Sequence, residues 1–312
     1  ILSLEENPPM VCYHHFAFWL SMMLGNKKEY LNWVYSSFLN LLWQDNNNTM
    51  TFHNYESWSL TSTKVLNALG QNIPKIVLDS ACFDLIGFVE LLLQNGKYIS
   101  GMYNEYFIPG KSAYMSYNFD HNYLIYGYNQ TEKYFYSIGY TKNKKYEPYT
   151  IPYDDFFKSI LNLSGDNFSF QIITVNTDID LEFSKSNFIS RIEDFLYSKE
   201  FYAQNTFGIN CINKFIDYLD KIKVSENGGI DLRICRVLLE HTNNIYNGLL
   251  IMNEDIAHEF FPIVTISQII LKLSIKYNIT FNTSIMKRII SHCHYFYKNE
   301  QIVLIKFLDE VK

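Results

Sequence analysis

The sequence predicts an α+β fold, and three observations predict it. Near the N-terminus apolar residues recur every three or four positions, at Val11, His15/Phe16, Trp19/Leu20 and Met23, the spacing of one helix face. Between about residues 97 and 175 the period changes to short strand-like runs, with turn signals at Asn129-Gln130 and Lys142-Asn143. Beyond the polar break Asn176–Asp180 helical spacing returns and continues to the end. Helices, then an antiparallel sheet, then a helical domain is the order of an α+β protein. The boundary is placed at residues 1–178 and 179–312.

The elements follow in order. Pro8-Pro9 disfavours helix before it and suits a helix start just after, so a helix is expected over 10–24, stopped by Gly25-Asn26. A second helix is expected over 29–43, then an Asn-rich loop over 45–49. A third is expected over 59–70, a short strand over 72–78, and a helix over 82–95 closed by Asn95-Gly96. Strands follow at 97–103, 121–128, 133–138 and 148–151, then a helix at 154–161 and a strand at 168–175. Five helices complete the chain, over 186–197, 205–222, 230–247, 254–277 and 282–310.

The 312 residues are 48% hydrophobic, enough for a sizeable core, which argues against disorder. Tyr (25) and Phe (24) are abundant; such rings fill cores and can line a deep groove. The net charge of -6 argues against a nucleic-acid partner, which calls for a basic stripe. The five cysteines are widely spaced and odd in number, which fits neither a disulfide framework nor a CxxC metal site. A reducing, cytoplasmic setting is expected. No uninterrupted run of about 18 apolar residues suggests a membrane span, and no basic-then-apolar N-terminal segment suggests a signal peptide.

Two places carry chemistry. Cys12 stands at the entrance of the first apolar helix, and His121 opens the aromatic strand His121–Tyr128. A helix start stabilises thiolate through its unpaired N–H groups and partial positive charge. The same N–H groups can receive the oxyanion of a tetrahedral intermediate, and an imidazole can take the thiol proton. Cys12 is read as nucleophile and His121 as its base. The other cysteines, Cys82, Cys211, Cys235 and Cys293, fall in helical apolar patterns and read as core.

Residues 1 to about 175 resemble the N-terminal domain of the butirosin biosynthesis protein H family, a branch of the papain-like cysteine peptidase superfamily. The resemblance rests on Cys12 followed by a long apolar helix, the strand Lys97–Tyr103 with Asn104-Glu105-Tyr106-Phe107-Ile108-Pro109, and His121 through Gly127-Tyr128-Asn129. The C-terminal half is similar to the family's helical extension, best at Phe207–Ile212. The resemblance implies a papain-like catalytic domain over 1–178 and acyl transfer as the chemistry. Cys12 would take an acyl group from an acyl carrier protein thioester and pass it to a small amine, in an amide-forming step of secondary metabolism. It also implies an Asp at the end of the strand after the histidine, where this chain has Gly139. Either the alignment slips, or another group orients His121, or the site works as a Cys–His dyad, or the activity is lost. Asp120 adjoins His121, but neighbouring strand residues face opposite ways. Asn7 is the candidate oxyanion-hole amide.

Other patterns lead nowhere. His14-His15 beside Cys12, His292-Cys293-His294 and His258-Glu259 lack the spacing of a metal site. No Gly-rich phosphate loop is present, so no cofactor is expected. Two rival functions stay open: a cysteine peptidase or thioesterase of the same superfamily, and a non-catalytic, self-protective metabolite-binding protein on the same scaffold.

Overall fold

The computed structural model describes residues 1–53, 63–80, 83–224 and 228–311. In chain order the elements are α1 (His14–Asn26), α2 (Tyr30–Ser37), β1 (Leu41–Gln44), β2 (Thr49–Phe52), β3 (Leu66–Pro74), α3 (Lys75–Leu78), α4 (Leu85–Gln94) and β4 (Tyr98–Asn104). A 3-10 turn (Glu105–Phe107) precedes β5 (Asp120–Asn129), β6 (Tyr134–Tyr140), β7 (Tyr146–Pro152), α5 (Tyr153–Leu161) and β8 (Asn167–Val175). The remainder is α6 (Lys185–Leu196), β9 (Asn205–Phe207), α7 (Asn210–Val224), α8 (Leu232–Met252), α9 (Glu254–Thr280) and α10 (Thr283–Val311). The protein is therefore mixed α+β, with N-terminal helices, antiparallel sheets and a helical C-terminal region.

The chain divides into two compact units, Ile1–Lys28 with Glu56–Asp180, and Glu29–Tyr55 with Leu181–Lys312. The C-terminal boundary lies close to residue 178, but the stretch after Lys28 belongs with the helices and not with the sheet. The reason is pairing. β1 bonds on one side to β2 and on the other to β9. Arg191 Nη1 donates to the Ser36 carbonyl at 2.7 Å, and Asn244 Nδ2 donates to that of Phe38 at 3.1 Å.

In the first unit six antiparallel strands run in the order β3-β8-β4-β5-β6-β7. α4 and α5 supply Leu85, Val89, Leu93, Phe156 and Ile160 to a core shared with the inward residues of the sheet, among them Tyr103, Tyr123 and Phe135. α1 is buried on every side from Phe16 to Leu24. A helix apolar all round is an interior helix, so this one anchors the segment before it.

Five expectations need correction. The first helix begins at His14, because Tyr13 is extended (φ -137°, ψ 143°) and serves as its N-cap residue. The helix expected over 29–43 stops at Ser37, and Leu41–Gln44 is strand; a short buried apolar run reads equally as either until its partners are known. Residues 59–62 of the helix expected over 59–70 lie outside the described residues, as does Cys82, but Leu66–Gly70 is strand. Nine-residue pairing of β3 with β8 overrides local propensity there, and that strand ends at Pro74 with one helical turn following. Residues 205–207 form β9, and Gly208 (φ +63°) turns the chain into α7.

In the second unit β2-β1-β9 form a small sheet beside helices α6 to α10. One described helix, α9, is by length and composition long and apolar enough to cross a membrane, although it holds no uninterrupted apolar run of 18 residues. Here seven of its buried residues, Ile256, Phe260, Ile263, Ser267, Ile270, Ser274 and Tyr277, fall at alternating four- and three-residue steps, with Ala257 and Val264 buried beside them, the seam of a packed bundle. Thr242 on α8 hydrogen-bonds Ser267 at 2.9 Å and Cys235 Sγ donates to Ser274 at 3.2 Å across that seam.

Candidate active site

The lead-in to α1 is pinned along its length. Leu2 N–H donates to the Tyr126 carbonyl at 2.7 Å and Glu5 N–H to that of Ser21 at 2.9 Å. Next to Cys12, the Val11 carbonyl accepts from the Tyr140 hydroxyl of β6 at 2.7 Å. Cys12 forms no disulfide and is 4% exposed. It lies just before the helix N-cap, not in the first turn, so the helix dipole, which fades beyond the end turn, acts on it less than expected. The remaining described cysteines, Cys211, Cys235 and Cys293, are buried, and burial pushes their thiols up, Cys235 to about 12. Such thiols are poor nucleophiles.

His121 is the second residue of β5, paired with Tyr103 across β4. Asn104 clamps this corner. Its Oδ1 accepts from the N–H groups of Tyr106 (3.1 Å) and Phe119 (3.2 Å), and its Nδ2 donates to Asn118 Oδ1 and the Asn162 carbonyl, each at 2.9 Å. The clamp holds the 3-10 turn, and the turn delivers Glu105. Glu105 Oε1 lies 2.8 Å from His121 Nδ1. A carboxylate can only accept, so Nδ1 carries the hydrogen and Nε2 is left as the basic nitrogen. Lys111 Nζ lies 4.0 Å from the same carboxylate, donates to the Tyr140 carbonyl at 2.7 Å and sits 4.0 Å above the Tyr149 ring centre. His121 keeps a 29% exposed side chain.

The segment that carries Cys12 and the strand that carries His121 approach at one end of the sheet. The His14 ring, two residues after Cys12, meets the His121 ring edge-on at 4.6 Å. Asp120 turns away, accepting from Ser164 N–H at 2.8 Å. Asn7 lies exposed in the lead-in bend, its N–H bonded to Glu5 Oε1 at 3.0 Å. At Gly139 an added Cβ would fall 3.4 Å from Lys111 Nζ and 3.6 Å from His14 Nε2. The place where the resemblance implies an acid is thus bordered by a cation, and the acid on His121 comes from the neighbouring strand's turn. Sequence reasoning assigned no role to Glu105, Lys111 or His14. The available signal was Glu105 itself, the one charged residue between Lys97 and Lys111.

His14 and His15 present buried Nε2 atoms without a hydrogen-bond partner. Burial, then the charges of His121 and Lys111, lowers the His14 pKa to about 3; burial lowers His15 to about 4. An unfolded imidazole titrates at about 6.5, so below that pH the unfolded chain binds protons the folded chain refuses. Stability should therefore fall as pH drops from about 6.5. Thermal denaturation at a series of pH values from about 4 to 8 should show a flatter acid limb for His14→Phe than for the parent. Parallel curves would remove His14 as the cause.

A separate open trough of about 680 Å³ lies on the sheet, lined by uncharged residues including Asn72, Ser100, Gly101, Asn122 and Gln171. It is not lined by Cys12 or His121. No family model matches the chain, and no curated protein matches it.

Proposed function

We propose that the chain is a cysteine-dependent acyltransferase on a papain-like scaffold, forming an amide from a carrier-protein thioester and a small amine in secondary metabolism. The observation that carries this reading is the Glu105–His121 hydrogen bond of 2.8 Å, at the end of the sheet where the Cys12 segment is tied to Tyr140. In the proposed cycle His121 Nε2 takes the Cys12 proton, and the thiolate attacks the thioester carbonyl. The tetrahedral intermediate collapses with loss of the carrier thiol, which leaves with the imidazolium proton. The amine then attacks the Cys12 thioester, His121 takes a proton from nitrogen, and Cys12 departs as thiol. Glu105 fixes the tautomer and supports the imidazolium throughout, the role of the third member of a catalytic triad.

Intact-mass measurement with an acyl thioester tests this directly. The parent should gain one acyl mass and Cys12→Ala none; an adduct persisting in Cys12→Ala ends the proposal. Product analysis with and without amine separates transfer from hydrolysis, since a peptidase or thioesterase needs only water. One observation favours the binding-only reading: Cys12 is 4% exposed, and reactive cysteines are as a rule partly open. Ligand binding without any adduct would support that reading.

A further inference from the structure

We infer that the loop from Ser112 to Phe119 is an acyl platform, which seats an apolar acyl group of the thioester beside His121. The inference rests on the acyl-transfer reading and names its substrate class. Eight consecutive residues, Ser112-Ala113-Tyr114-Met115-Ser116-Tyr117-Asn118-Phe119, carry no charge. Met115 is 68% exposed, Tyr117 56% and Phe119 43%. Soluble proteins seldom cluster large apolar side chains on the surface without a ligand for them.

The backbone that carries these side chains is held in place. Ala113 is buried and its carbonyl accepts from Ser116 N–H (3.0 Å) and Tyr117 N–H (3.3 Å). Met115 N–H donates to the Tyr106 carbonyl at 3.0 Å, and the Phe119 carbonyl accepts from Glu105 N–H at 2.8 Å. The turn that delivers the histidine's acid thus also fixes the backbone of the aromatic strip, which lowers the ordering cost of binding there.

The strip has a direction. The Tyr117 and Phe119 rings are 6.3 Å apart, and the Phe119 and His121 rings 4.9 Å. A group lying on Tyr117 and Phe119 therefore points at the imidazole that acts on the acyl carbon. Without a charge to meet an anion or an ammonium, the strip selects aromatic or long aliphatic acyl groups over short or charged ones.

Equilibrium binding to the Cys12→Ala protein tests the platform apart from the chemistry. The probes are N-acetylcysteamine thioesters of phenylacetate and of acetate. The phenylacetyl thioester should bind about tenfold more tightly, and Tyr117→Ser and Met115→Asn should each erode that preference with unchanged thermal stability. Equal binding of the two probes, or a preference indifferent to both substitutions, overturns the platform. Acylation of the parent's Cys12 at equal rates by both probes would likewise overturn it while leaving the acyl-transfer reading intact. A Tyr117-dependent preference without any adduct on the parent's Cys12 would sustain the platform and sink the chemistry.

Discussion

Glu105→Gln should slow acylation of Cys12 by about 10²- to 10⁴-fold. The carboxylate accepts from His121 Nδ1 at 2.8 Å, a charge-assisted bond of the stronger kind. Glutamine has the same length, but its amide can also donate. An imidazole accepting at Nδ1 carries its hydrogen on Nε2, where it cannot take the thiol proton. Even with the tautomer unchanged, the imidazolium formed during reaction loses its counter-charge. The substitution has a structural cost too, because Lys111 is buried and Glu105 is its only carboxylate partner among the described residues. Glu105→Gln/Lys111→Met separates the two effects. The second change removes the stranded ammonium, so denaturation should return toward the parent while acylation stays slow. Acylation by the Glu105→Gln protein at the parent rate would remove Glu105 from the mechanism.

Much of the sheet was legible because its strands are punctuated. β4 to β8 carry turn signals at their ends, and their observed bounds differ from the expected ones by two residues or fewer. α1 was legible as a helix but not as an interior one, and its start was misplaced because Tyr13 stays extended. What failed was pairing at a distance. Leu41–Gln44 looks helical until β2 and β9 flank it. The candidate site divides in the same way. Cys12 and His121 are visible as residue types in local patterns. Glu105 is not, because its role depends on register: Tyr103 pairs with His121 and Asn104 with Asp120, and only then does the following turn fall beside the imidazole. Gly139, where the resemblance implies an acid, was readable, and the Glu105–His121 hydrogen bond was readable only in three dimensions.

His241→Ala should destabilise the second unit by about 3–5 kcal/mol, a larger loss than most single substitutions cause. His241 Nε2 and Glu300 Oε1 are 3.1 Å apart with both side chains fully buried. The second oxygen of Glu300 and Nδ1 of His241 have no hydrogen-bond partner, so each residue depends on the other. Burial pushes the Glu300 carboxyl above its ordinary range, while His241 pulls it back. A carboxyl raised in the folded state holds a proton that the unfolded chain gives up above about pH 4.3. Its contribution is therefore most favourable in acid and declines as pH rises, opposite to that of His14 in the first unit. Removing His241 removes the downward pull, so the decline should steepen. Glu300→Gln should flatten it, because glutamine keeps a partner for His241 and carries no titrating carboxyl. His241→Phe/Glu300→Leu should recover most of the loss, since a buried ionic pair is often replaced by packed apolar groups at little cost. Urea unfolding of the four proteins at about pH 5 and pH 8 decides the matter. If His241→Ala costs no more than an exposed substitution, or if Glu300→Gln leaves the pH dependence unchanged, the pair does not hold the bundle in the way its burial requires.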